Sequence, residues 1–170
     1  MANDAEIKSK AKDEGGFLET VKVVVQALLI ALVIRTLLFQ PFNIPSGSLI
    51  PTLLIGDYLF VSKYTYGYSK HSVPFSPPLF KGRIWAAEPK RGDIAVFKLP
   101  SDNSTDYIKR VIGLPGDRIQ MIDGVLHINN QAVKRERIAD FVTTDPWGRT
   151  TPAIQYRETL PNGVSHQIIE

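Results

Sequence analysis

The stretch RIQMIDGVLHINNQAVK, from Arg118 to Lys134, decides the fold class. Apolar and polar residues alternate through it, the period of a half-buried strand rather than of a helix. Asp123-Gly124 is a two-residue pair that accepts positive φ at both positions and so closes a tight hairpin. Asn129-Asn130 is a weaker signal of the same kind. The pattern predicts strands over Arg118–Ile122, Val125–Ile128 and Gln131–Lys134. Working outward, Tyr58–Lys63, Ile94–Lys98 and Tyr107–Ile112 read as further strands, rich in β-branched and aromatic residues. Pro74, Pro77, Pro78 and Pro89 predict a long extended loop between Ser69 and Arg91. Asp145-Pro146-Trp147-Gly148 reads as a turn. No stretch after Phe39 carries a helical period. The predicted fold is mainly β, an antiparallel sheet domain.

Upstream the composition changes. Residues 1–16 are polar, with four acids, Lys8, Lys10, Lys12 and a Gly pair, and read as a flexible cytoplasmic tail. FLETVKVVVQALLIALVIRTLLFQPF follows, with no charge from Val23 to Ile34. The 23 residues from Phe17 to Phe39 would span about 34 Å as a helix, enough for a hydrocarbon core of about 30 Å. A buried soluble helix is one reading of this run. A cleavable signal peptide is another, with Ser46-Gly47-Ser48 as a small-x-small site. Arg35 interrupts the run, however, and the triplet stands behind Pro41 and Pro45. A single transmembrane anchor fits better. Lys8, Lys10, Lys12 and Lys22 precede the span and only Arg35 follows it before Lys63, which puts the N-terminus in the cytoplasm and the β domain outside.

Composition excludes several classes. The chain has 170 residues, one domain in length, with 44% hydrophobic and 22% charged residues, so it is neither disordered nor wholly embedded in lipid. A net charge of +3 with no basic run gives no footprint for nucleic acid. There is no cysteine, hence no disulfide, thiolate metal site or Cys nucleophile. His71, His127 and His166 lie far apart, and no metal or other cofactor is implied.

Two segments could carry chemistry. In Phe42-Asn43-Ile44-Pro45-Ser46-Gly47-Ser48-Leu49-Ile50-Pro51-Thr52-Leu53, two serines flank a glycine between stiffening prolines. Such a turn can expose a hydroxyl beside backbone N–H groups, as an oxyanion hole requires; it can equally be an ordinary polar loop. In Asp106-Tyr107-Ile108-Lys109-Arg110-Val111-Ile112-Gly113-Leu114-Pro115-Gly116-Asp117, alternation puts Tyr107, Lys109 and Val111 on one face. A lysine covered by such a face is desolvated, which favours the neutral amine that a base needs. A lysine snorkelling from a half-exposed strand is the competing reading. A Ser-His-Asp triad does not fit, since the G-x-S-x-G elbow is absent and no histidine has a comparable setting.

Together Pro45–Leu53, Arg91-Gly92-Asp93-Ile94-Ala95-Val96-Phe97 and Tyr107–Asp117 closely resemble the bacterial type I signal peptidases (leader peptidases), over roughly residues 20 to 135. The resemblance implies a membrane-bound serine endopeptidase of the inner membrane, with its catalytic domain outside the cytoplasm. It implies that Ser48 is the nucleophile and Lys109 the general base. The Ser48 N–H and Ser46 hydroxyl would form the oxyanion hole, and Tyr107 and Phe97 would help to cover Lys109. Ile44, Leu53, Val96 and Ile108 would line shallow pockets for small residues at −3 and −1 of a preprotein signal peptide. The partners implied are signal peptides and the lipid bilayer, without metal or nucleic acid. A self-cleaving repressor with the same dyad is disfavoured by the anchor.

Two departures stand out. Leu49 replaces the usual Met, a swap of similar volume. The family's later acidic motif, Gly-Asp-Asn-Arg-Asp-Asn-Ser-x-Asp-Ser-Arg, has no counterpart, and residues 137–170 match only loosely. The expected organisation is therefore a tail over 1–16, an anchor over 17–39, a catalytic β domain over 40–122 and an incomplete second β subdomain over 123–170. A truncated relative that binds signal peptides without cleaving them is the alternative.

Overall fold

A computed structural model describes residues 3–78, 80–144 and 147–170. The chain forms two compact units, residues 1–40 with 62–85, and residues 41–61 with 86–170.

The first unit is built on α1 (Asn3–Val33). The helix starts well before the apolar run, because Ala, Lys and Glu dominate residues 5–14 and all favour helix. Its last turn, Ile34–Leu38, winds more widely, with the Phe39 N–H bonded to the Ile34 carbonyl. Gly16–Leu38 is long and apolar enough to cross a membrane. Its side chains are not packed into a protein core: Leu18 is 67% and Ile30 61% exposed. Residues 62–85 return to the helix end, where Lys63 N donates to Leu38 O and the Tyr68 hydroxyl donates to Leu37 O. The expected long loop is mostly extended, with one short helical turn at Lys70–Ser72 capped by Ser69 and a single bridge between Tyr68 and Ile84. Gly67, at φ +78°, is needed there, because a Cβ would stand 2.4 Å from the Ile84 carbonyl oxygen.

The second unit is antiparallel β, as the alternation requires. β1 (Phe39–Asn43) leads into it and pairs with β2 (Tyr58–Ser62). β3 (Ile94–Lys98) and β4 (Asp106–Arg110) form a hairpin. β5 (Ile119–Ile122), β6 (Val125–Ile128) and β7 (Gln131–Ala132) form a meander. Both of its turns have two residues, and Asp123, Gly124, Asn129 and Asn130 all have positive φ. β8 (Lys134–Arg137) belongs to another sheet, of order β12–β11–β8, with β11 (Gln155–Thr159) and β12 (Ser165–Ile169). β9 (Phe141–Thr144) pairs with β10 (Thr150–Ala153).

Four of the predicted strands differ in extent: Tyr58–Lys63 ends at Ser62, Arg118–Ile122 begins at Ile119, and two others change more. The strand read as Tyr107–Ile112 runs from Asp106 to Arg110, and Val111 beyond it bonds both Gly92 and Asp93, two residues against one, outside the regular ladder. The one read as Gln131–Lys134 divides at Val133, whose side chain enters the core. That core comprises Leu126, Ile128, Val133 and Leu160, with Ile112 packed against it. Leu126 and Ile128 alternate with half-buried Val125 and His127, which is the period-2 pattern that identified the strand. Of the turn read at 145–148, Asp145 and Pro146 lie outside the described residues.

Candidate active site

Ser48 and Lys109 are 61 residues apart, and the second unit brings them together. Lys109 lies on β4 opposite Ala95, with Tyr107 and its partner Phe97 on the same face of the hairpin. Its Nζ donates to Ser48 Oγ at 2.5 Å. The same nitrogen stands 5.6 Å from the centroid of the Tyr107 ring, within cation–π range. The Phe97 ring lies 6.2 Å from that of Tyr107. Both rings keep one face to solvent, Tyr107 at 38% and Phe97 at 41% exposure, so the lysine is half-buried.

The serine turn is held at both ends. Ile44, 2% exposed, donates its N–H to Asp57 O and accepts from Gly56 N–H, each at 2.9 Å. Beyond it, Ile50 N donates to Gly47 O and Leu53 N to Leu49 O, so residues 47–53 coil tightly while Ser46 and Ser48 remain exposed. A Cβ on Gly47 would stand 2.7 Å from Ile50 Cδ1, so glycine lets the turn close against that side chain. The other face of the hairpin carries Val96 opposite Ile108, and Ile94 opposite Arg110. Leu53, Val96 and Ile108 are half-buried and Ile44 is fully so.

Several supporting residues carry no signal that pattern reading alone could interpret. Arg110 donates to Gly92 O at 2.8 Å and to Thr52 Oγ1 at 3.2 Å, linking β4 to the Arg91–Phe97 segment and to the coil after Ser48. Burial draws its guanidinium below the usual arginine range. Arg91 pairs with Asp117 at 2.7 Å, both side chains 11% exposed, and also donates to Ile112 O. Asp117 further accepts from Leu114 N–H and from the Asn129 amide. These bonds, the Leu114 N–H foremost, hold its carboxyl below the ordinary carboxylate range. Only the adjacency of Arg110 to Lys109, and the Arg-Gly-Asp and Gly-Asp pairs at the loop ends, mark these positions in the sequence. Among the described residues, no group of three His, Asp or Glu side chains could hold a metal ion.

The family described as "Signal peptidase, peptidase S26" matches residues 17–165. Over 138 residues the chain is 49% identical to Signal peptidase I of Rickettsia conorii, covering 80% of this chain and 50% of that protein. It is 50% identical over 136 residues to Signal peptidase I of Rickettsia canadensis, covering 79% of this chain and 50% of that protein. The chain belongs to the S26 signal peptidase family. It spans about half the length of the relatives it matches.

Proposed function

We propose that this chain provides the anchor and the catalytic pair of a bacterial serine endopeptidase that removes signal peptides from exported preproteins. The observation that carries the reading is the 2.5 Å approach of Lys109 Nζ to Ser48 Oγ. Two polar groups at that distance can exchange a proton directly. With the amine neutral, the Ser48 proton passes to Lys109 as Oγ attacks the scissile carbonyl carbon. The Ser48 N–H and the Ser46 hydroxyl stabilise the resulting oxyanion. The tetrahedral intermediate collapses as Lys109 returns the proton to the leaving amine, leaving an acyl-enzyme on Ser48. Water deprotonated by the same lysine then releases the acid. Tyr107 and Phe97 exclude part of the water around the amine. Ile44, Leu53, Val96 and Ile108 shape the pockets that admit small residues at −3 and −1.

In this reading residues 17–39 cross the inner membrane with the N-terminus in the cytoplasm, residues 40–122 catalyse and residues 123–170 begin a second β subdomain. The name of the Rickettsia relatives, Signal peptidase I, supports the cleavage of signal peptides. The test is cleavage of a preprotein with alanine at −3 and −1 by the protein in detergent. Ser48→Ala and Lys109→Ala should each abolish cleavage. Full activity in either variant overturns the dyad.

A further inference from the structure

The apolar helix does not account for the aromatic side chains standing beside its end. Residues 62–85 contain Lys63, Lys70, Lys81 and Arg83 and no acidic residue. Within them Tyr64 is 52%, Trp85 82% and Phe75 103% exposed, a large apolar area to leave in water. Phe75 and Trp85 take φ values of 62° and 52°, a left-handed conformation that bulky side chains seldom adopt. The segment is tied to the last turn of the apolar helix. The Tyr68 hydroxyl donates to Leu37 O at 2.8 Å, and the Tyr64 ring meets Phe39 edge-on at 5.9 Å. Trp85 packs edge-on against Tyr68 at 6.0 Å, so its indole stands about one side chain from the helix terminus.

We infer that residues 62–85 dock on the phospholipid headgroup layer at the outer end of the span, with Trp85, Tyr64 and Phe75 in the interface and Lys70 and Lys81 facing anionic headgroups. Lys63 and Arg83 donate instead to the segment's own carbonyls at Ser72, Tyr66 and Gly67. Two features of the segment select lipid as the occupant. It is continuous with a helix whose apolar surface ends where the aromatic residues begin, the depth at which Trp and Tyr concentrate in membrane proteins. Its charge is of one sign, complementary to anionic phospholipid. Docking there would fix the height of the chain above the bilayer where it leaves the helix for the β unit. The inference rests on the reading of α1 as a membrane span.

Trp85 and Trp147 are the only tryptophans, so W147F leaves Trp85 as a single reporter. The full chain carrying W147F is reconstituted into phosphatidylcholine–phosphatidylglycerol vesicles containing brominated phospholipid. Trp85 fluorescence should be blue-shifted, and quenched more strongly by bromine near the headgroup end of the acyl chain than by bromine at its far end. Omitting phosphatidylglycerol should weaken that quenching; unchanged quenching overturns the role given to the cations. A water-like emission, insensitive to bromolipid and freely quenched by acrylamide, overturns the docking. Leu28→Trp in a W85F/W147F background reports the helix separately. Deep quenching there with none at Trp85 refutes the docking alone, whereas no quenching at either site refutes the span and the docking with it.

Discussion

Arg110 reaches Thr52 with one arm of its guanidinium while the other arm holds the Gly92 carbonyl. The residue after Lys109 thus ties β4 to the coil that follows Ser48. Thr52→Val removes one acceptor and should lower stability by about 0.5–1.5 kcal/mol. Arg110→Lys keeps the charge but loses the planar fork, so it cannot hold both acceptors in this geometry. Both variants should lower kcat for signal-peptide cleavage more than they raise KM, because they loosen Ser48 relative to Lys109. Denaturant unfolding and steady-state kinetics on the same preparations separate the two effects.

Lys109→Arg distinguishes charge from basicity. A guanidinium stays protonated at any working pH, so it can preserve the surroundings of Ser48 without accepting its proton. Cleavage should be lost while the thermal unfolding temperature stays close to that of the unmodified protein. Cleavage at the original rate would remove the proton-transfer role from this side chain.

Two carboxylates make stability depend on acid. Asp117 titrates below its unfolded value because Leu114 N–H, Asn129 and Arg91 all favour the charged form. Asp102 is lowered to about 2, first by the Thr105 hydroxyl and then by the Ser104 and Thr105 N–H groups. A carboxyl depressed in the folded state stabilises fully above its unfolded pKa of about 3.9, and that contribution disappears as pH falls through the folded value. Asp117→Asn and Asp102→Asn should each lower Tm near neutrality and flatten its decline in acid. Calorimetry from neutral to acidic pH follows both effects.

Gly124 turns the hairpin between β5 and β6 at φ +74°. Gly124→Val forces a side chain into the left-handed region, at about 1–2 kcal/mol, and brings its Cβ to 3.4 Å from Glu170 Oε1. The variant should unfold at a lower temperature, with its denaturant m-value unchanged.

Leu160 is 2% exposed and packs with Leu126, Ile128 and Val133. Leu160→Ala should destabilise by about 2–5 kcal/mol, the range for a buried leucine that leaves a cavity. Denaturant titration measures it directly.

Local rules made much of this architecture legible. Asp123-Gly124 and Asn129-Asn130 specify turns because each pair tolerates positive φ, and the alternation of Leu126 and Ile128 specifies which side of the strand is buried. Less was readable beyond Val133. β9, β10 and β11 carry too little hydrophobic alternation to mark them, and β10 contains Pro152, whereas Val164–Glu170 reads as a strand and contains β12. They are strands because antiparallel partners satisfy their backbones, β9 with β10 and β11 with both β12 and β8.

The same division holds at the candidate site. Residue order alone established a helix long and apolar enough to span a bilayer, an antiparallel β unit after it, and two segments with chemical potential. It could not bring Ser48 to Lys109. That 2.5 Å contact exists because β3 and β4 pair in one register and Arg110 anchors the serine coil to the same hairpin. Strand register and long-range hydrogen bonds are collective properties of the folded chain, so only the tertiary structure could set that distance.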